Sequence, residues 1–195
     1  MEHLLRIGHR LDRSEIYGPG IRSVLWLQGC TLACKGCWNT QYWSSKGGSQ
    51  IEVSQILSEL DELDDIEGIT LLGGEPLQQA EATLVLIEGC KQRGLSIFLY
   101  TGYNPSEFDA IMQACFDASD IAVTGRYVQE LRDTTLRWRG SRNQQVHFIS
   151  DAYDESVLQE QTEVECHILP SGEIRMVGYA EPELSNLLGG VINGF

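Results

Sequence analysis

The sequence predicts an α/β fold: a partial, open β/α barrel of parallel strands with a C-terminal hairpin. Three observations predict it. Short apolar segments bounded by glycine alternate with segments whose apolar residues recur at helical spacing. The alternation reads βαβαβαβ through most of the chain, which implies parallel strands joined by helical crossovers. About six strands and three helices are too few for a closed eight-stranded barrel.

In order, HLLRIGHRL (3–11) reads as an extra strand ahead of the first βα unit. SVLWLQG (23–29) is apolar, ends in glycine and reads as a buried strand. VSQILSELDEL (53–63) sets Val53, Ile56, Leu57, Leu60 and Leu63 at helical spacing. GITLLGG (68–74) is a short buried strand. PLQQAEATLVLIEGCKQRG (76–94) opens with Pro76 at the first helical position and stops at Gly94. SIFLYTG (96–102) is the next strand. In NPSEFDAIMQACF (104–116), Asn104 caps, Pro105 fits the first turn and Glu107 completes a capping box. DIAVTGRYV (120–128) is a further strand, and VECHILPSGEIRMVGY (164–179) reads as a hairpin turning at Ser171-Gly172.

At 195 residues the chain has the length of a single domain, 1–195, and its 42% apolar content suffices for a substantial core. The formal net charge is −14. That argues against nucleic acid as the main partner, because phosphate binding needs clustered Lys and Arg, and against an anionic membrane surface. MEHLLRIGHRLDRSE is charged too early for a secretory signal, and no apolar run approaches the ~20 residues of a membrane span. The expectation is a cytoplasmic protein, where a tight cysteine group binds metal or does redox chemistry more often than it forms disulfides.

GCTLACKGCWN (29–39) holds such a group, Cys30, Cys34 and Cys37. A structural zinc site is closed by four ligands, yet no fourth Cys or His is close by, the next His being His147. A [4Fe–4S] cube is normally held by four thiolates. A protein that supplies three leaves one iron open to bind and activate a small molecule. Zinc with a distant fourth ligand, or a disulfide plus a free thiol, are the competing readings of the spacing alone. Cys90, Cys115 and Cys166 lie scattered in apolar stretches and read as core. LLGGEP (71–76) ends a strand with paired glycines that permit close backbone approach. YGPGIR (17–22) is by itself a turn. RDTTLRWRGSRNQ (132–144) gathers Arg132, Arg137, Arg139 and Arg142, as a solvated loop or a docking patch.

Together these segments resemble the radical S-adenosylmethionine (SAM) superfamily, and more narrowly its glycyl-radical-enzyme activases. GPGIRSVLWLQGC is similar to the segment that precedes the cluster in that group. CKGCWN, LYTGY and VTGRYVQELRDTTLRWRGSRNQQVH, in that order, resemble most the activases of anaerobic ribonucleotide reductase. The resemblance covers about residues 4 to 150. It implies that Cys30, Cys34 and Cys37 hold a [4Fe–4S] cluster and that SAM binds the open iron. It implies that Gly73, Gly74 and Glu75 receive the SAM amino group, with Asn39, Thr101 and Arg126 as further contacts. Glu75 has a second reading, as a cap for the helix that follows. Trp38 reads either as a neighbour of the cluster or the adenine, or as a plain core aromatic. No acid–base residue is required beyond the cluster and SAM site.

The implied reaction is reductive cleavage of SAM to methionine and a 5′-deoxyadenosyl radical, which makes a glycyl radical on a partner enzyme, anaerobic ribonucleotide reductase. A flavodoxin- or ferredoxin-like protein would donate the electron. The alternative is a stand-alone radical SAM enzyme that modifies a peptide or small metabolite. Two positions depart from the group: Leu32 stands where it usually carries His, and Thr124 where it usually carries Asp.

Overall fold

The computed structural model describes residues 3–159, 164–168, 171, 174–178 and 192–193. Seven strands form one sheet: β1 (Leu4–Ser14), β2 (Arg22–Leu27), β3 (Ser49–Glu52), β4 (Gly68–Gly73), β5 (Ser96–Tyr100), β6 (Ile121–Thr124) and β7 (Gln145–Phe148). Their spatial order is β3-β1-β2-β4-β5-β6-β7, so the sheet is open, with β3 and β7 as its edges. The four central strands β2, β4, β5 and β6 are parallel. The flanking pairs β1–β2, β1–β3 and β6–β7 are antiparallel.

Three crossover helices, α1 (Val53–Leu60), α2 (Ala80–Gln92) and α3 (Ala110–Asp117), cover one face. Strand side chains alternate between faces. Leu25, Leu27, Ile69, Leu71, Ile97 and Leu99 point into the helix-covered core. Their neighbours Val24, Trp26 and Leu72 form a second cluster, and Phe98, Ile121 and Val123 a third. All six residues of β2 are buried, so it is covered on both faces.

Four expectations need correction. The predicted helix 104–116 is two pieces. Glu107 accepts from the Asn104 amide at 2.8 Å, but that box caps only a 3₁₀ turn, Pro105–Glu107. Asp109 then caps α3, accepting from the amides of Ile111 and Met112. The predicted strand 120–128 stops at Thr124, where the chain turns at Gly125. The helix expected from Pro76 opens with a 3₁₀ turn and becomes α-helical at Ala80. Cys90 and Cys115 are core residues as expected, but Cys166 is exposed.

A second, three-stranded sheet contains β8 (Val164–Ile168), β9 (Ile174–Gly178) and β10 (Ile192–Asn193). β8 and β9 pair antiparallel, while Gly172 of the expected turn lies outside the described residues. Glu165 on β8 accepts from Ser14 Oγ at 2.7 Å and from the Glu15 amide at 2.6 Å, tying this sheet to the end of β1. Among the described residues no helix is long and apolar enough to cross a membrane.

The YGPGIR segment is more than a turn. Arg22 is fully buried, and its guanidinium donates to Thr70 Oγ1 (2.9 Å), Pro19 O (3.1 Å), Ser96 Oγ (2.9 Å), Ile69 O (2.7 Å) and Ser96 O (2.8 Å). Thr70 Oγ1 in turn donates to Tyr17 O at 2.7 Å. The buried charge therefore pins the turn to the starts of β4 and β5 and fixes Tyr17 above them.

Candidate functional site

A cavity opens where the carboxyl ends of the central parallel strands leave the sheet, the position at which α/β proteins collect ligands. The loop after β2 brings Cys30, Cys34 and Cys37 to its wall; the end of β4 brings Gly73, Gly74 and Glu75; the end of β5 brings Thr101.

The cysteine loop and the glycine turn are built against each other. Gly74 N–H donates to Leu27 O at 2.7 Å and Glu75 N–H to Gly29 O at 2.9 Å. A Cβ on Gly74 would lie 2.4 Å from Gly29 O. Gly73, at φ +109°, would place one 2.6 Å from the Trp26 Cα. Both glycines are thus demanded by the close approach of β2 and β4.

Glu75 is buried and its carboxylate is largely committed. Oε1 accepts from the Leu77 amide (2.9 Å) and Thr101 Oγ1 (2.8 Å), and Oε2 accepts from the Gly102 amide (2.8 Å). The capping reading is therefore seen directly, in the bond to Leu77. Of the roughly four acceptor sites of a carboxylate, one on Oε2 is left for a ligand. Burial pushes the Glu75 pKa up to about 7, against the pull of the two amides, Thr101 and Arg126.

The donor set suits an iron–sulfur group. The three thiols are free and half-buried on one loop. Burial raises the pKa of Cys30 and of Cys34, opposed at Cys30 by the Leu32 and Ala33 amides and at Cys34 by that of Tyr127. The Asn39 amide donates to Cys37 Sγ at 3.4 Å. Backbone donors thus face each sulfur, as a bound thiolate requires. Among the described residues no three His, Cys, Asp or Glu side chains are gathered to hold a single metal ion. A cube asks something different, since each thiolate binds its own iron.

The remaining expected residues divide. Asn39 lines the cavity, and its carboxamide makes no cap bond to the short turn that follows. Thr101 acts through Glu75. Arg126 is held elsewhere, in a bidentate pair with Glu107 at 2.7 and 2.8 Å, and does not line the cavity. Trp38 is 40% exposed, so it is not a core aromatic; it lines the cavity mouth with the Arg132 guanidinium 4.9 Å from its ring. Of the departures, Leu32 packs where a Gly102 Cβ would meet its Cδ1 at 2.4 Å, and Thr124 Oγ1 shares a 2.9 Å hydrogen bond with His147 Nε2.

The arginine-rich stretch is not one exposed patch. Arg132 and Arg142 are exposed, Arg139 is half-buried, and Arg137 is buried and lines the cavity. The stretch doubles back, with Arg132 bridged to Ser141, and carries Trp138 at φ +61° onto Phe98, ring centroids 5.0 Å apart. Trp138 Nε1 donates to Ile16 O at 3.1 Å. Arg137 lies over the Trp138 ring at 4.5 Å and donates to Val157 O. Tyr17, Tyr100, Arg137 and Trp138 are among the lining residues that sequence reasoning missed. Tyr17 and Arg137 lay in segments it had singled out for other roles. From the C-terminal sheet Gly178 also reaches the cavity, its amide donating to Tyr17 OH at 3.3 Å.

Residues 16–147 match the family described as 4Fe-4S single cluster domain. The chain is 37% identical over 140 residues to an anaerobic ribonucleoside-triphosphate reductase-activating protein of Vibrio cholerae, covering 68% of this chain and 90% of the relative. The protein of that name from Escherichia coli is 34% identical over 142 residues, covering 69% and 92%. The one from Enterobacteria phage T4 is 34% identical over 138 residues, covering 67% and 86%.

Proposed function

The chain belongs to the 4Fe-4S single cluster family and to the anaerobic ribonucleoside-triphosphate reductase-activating proteins within it, and we propose that it generates the glycyl radical of an anaerobic ribonucleotide reductase. The observation that carries this reading is the meeting of three thiols from one loop with the Gly73-Gly74-Glu75 turn in a single cavity at the carboxyl ends of parallel strands.

Cys30, Cys34 and Cys37 hold the [4Fe–4S] cluster in this proposal, with SAM beside it. The chemistry these groups supply when bound is reductive cleavage of the SAM sulfonium, giving methionine and the 5′-deoxyadenosyl radical that takes a hydrogen atom from the partner's glycine. The chain's own residues bind and orient. Burial favours the protonated thiol at Cys30 and Cys34, and a metal displaces that proton. Gly73 and Gly74 let the turn approach the cysteine loop, and the open acceptor site on Glu75 Oε2 receives the SAM ammonium. Thr101 and the Gly102 amide fix that carboxylate. Asn39 offers its carboxamide from the loop side. Arg126 acts at longer range, through its charge. Trp138, Tyr17 and Tyr100 wall the cavity against water. The chain works as a single domain in which the open sheet serves as a partial barrel, and a flavodoxin- or ferredoxin-like protein is the electron donor.

The test is anaerobic incubation of the iron-reconstituted protein with SAM, a strong reductant and a candidate reductase, followed by electron paramagnetic resonance. A glycyl doublet on the reductase is expected. SAM cleavage with no doublet on any candidate would direct the function to a free peptide or metabolite instead.

A further inference from the structure

The segment after β6 lies across the cysteine loop. Gln129 occupies the space above Gly36, whose added Cβ would sit 2.8 Å from Gln129 Cδ. Gly36 is at φ +74°, so the loop turns tightly beneath that side chain. Glu130 pairs with Lys35 at 3.3 Å, and Arg132 stands over Trp38 at 4.9 Å. The Tyr127 backbone amide reaches the Cys34 sulfur. Four residues of one segment thus reach four of the loop within a stretch of six.

The loop has little to hold itself. Between Cys30 and Asn39 its internal backbone hydrogen bond is Cys37 N–H to Cys34 O at 3.1 Å, and Thr31, Ala33, Lys35, Gly36 and Trp38 are exposed. The segment over it is firmer. It contains a 3₁₀ turn, Gln129–Leu131, and its end is tied by Val128 N–H to Ser141 Oγ (3.2 Å) and Arg142 N–H to Leu131 O (2.9 Å).

We infer that residues 127–132 are a clamp that positions the cysteine loop and makes the cluster held there easier to reduce, with Gln129 and Arg132 as its positioning residues. This rests on the function proposed above. Reduction adds one negative charge to a cluster already bearing three thiolates. A guanidinium fixed beside the residue that follows Cys37 stabilises the reduced state more than the oxidised one, as do donors aimed at the sulfurs. Gln129 also braces the turn at Gly36, so that the loop keeps its three thiols in place against a competing chelator.

The experiment uses the full chain, reconstituted without oxygen, in four single variants, Arg132→Gln, Gln129→Ala, Trp38→Leu and, as a control on an exposed arginine outside the clamp, Arg142→Gln, and in one double variant. Redox titration followed by absorbance gives the potential, and bleaching under a chelator gives the rate of cluster loss. Arg132→Gln should make reduction up to about tenfold harder, about 59 mV for a one-electron couple. Gln129→Ala should speed cluster loss severalfold. A Trp38→Leu, Arg132→Gln double variant should shift the potential by less than the sum of the two single changes, because the pair acts together. The inference is overturned if Arg132→Gln shifts the potential no more than Arg142→Gln does, or if Gln129→Ala keeps its cluster as long as the unsubstituted chain. If the unsubstituted chain assembles no [4Fe–4S] cluster, the proposed function falls with it.

Discussion

Replacing Arg22 with Met should destabilise the chain by about 3 kcal/mol and loosen one wall of the cavity. The guanidinium is fully buried and donates five hydrogen bonds. Hydrogen bonds from a charged group are worth roughly 1.5–3 kcal/mol each, but the loss is smaller than their sum. Met fills much of the same volume, and burying it avoids the desolvation that pulls the Arg22 pKa down. Two of the acceptors, Ile69 O and Ser96 O, are peptide groups of sheet strands. Ser96 Oγ keeps Tyr153 OH as a partner at 2.9 Å. The bonds to Pro19 O and Thr70 Oγ1 have no such context, and at about 1.5 kcal/mol apiece they give about 3 kcal/mol.

For a chain of this size that corresponds to about 6–12 °C in Tm. The assay is thermal and urea unfolding of the cluster-free protein, so that metal release does not distort the transition. Arg22→Lys should also be destabilised, because a single ammonium has three protons and no fork with which to reach acceptors on three segments. A Met variant within about 1 kcal/mol of the parent would refute the reasoning, since it would mean that the five bonds are offset by the cost of burying the charge.

Replacing Cys30, Cys34 or Cys37 with Ala should abolish the absorbance of the reconstituted cluster. The same change at Cys90 or Cys115, buried thiols whose pKa values are pushed up to about 12, should only destabilise, and at exposed Cys166 should do neither. Glu75 is held at about 7 against an ordinary 4.5, so between those values the folded chain keeps a proton that the unfolded chain has released. That stabilisation is full below about pH 4.5 and is lost as pH rises through about 7, by roughly 3 kcal/mol for such a shift. Glu75→Gln should flatten this part of the urea-midpoint profile of the cluster-free protein, and an unchanged slope would count against a raised pKa. Arg137→Ala should reduce both stability and SAM cleavage, measured as 5′-deoxyadenosine, because its side chain is buried in the cavity wall. Arg142→Ser should weaken only the glycyl signal on the partner, more at low salt than at high, because exposed charges act through screened attraction.

The parallel core was legible because its strands are mostly apolar and run into glycine at Gly29, Gly73, Gly102 and Gly125, while their crossovers carry helical spacing. The edge strands β3 (SQIE) and β7 (QVHF) were not, because each is short and mixed and is paired on one side only. The break in the third helix has a local cause. Two capping residues, Asn104 and Asp109, compete, and the second one starts the longer helix. The gathering of Cys30, Cys34 and Cys37 on one loop at the cavity was legible from spacing. The two arginines were not: Arg126 was expected at SAM and sits with Glu107, while Arg137 was expected at the surface and sits in the cavity. Residues 125–144 have no periodic pattern from which a side chain's direction can be read.

The glycine turn shows why motif residues resist a division into fold and function. Gly73 is required by the backbone of β2 and Gly74 by the backbone of the loop that follows it, at Gly29 O, whatever binds in the cavity. Glu75 caps the turn that leads into α2, yet the two bonds that fix its orientation come from the end of β5, across the cavity. The carboxylate thus joins β4, β5 and the start of α2, and its backbone amide joins all three to the cysteine loop through Gly29 O. Removing the fold's share of this network would displace the site, and removing the site's share would leave a buried carboxylate with fewer donors. The one residue that separates the two is Thr101, whose hydroxyl touches Glu75 and the Tyr103 amide and belongs to no cap. It lies at the carboxyl end of β5, where α/β folds place residues for ligands and not for stability.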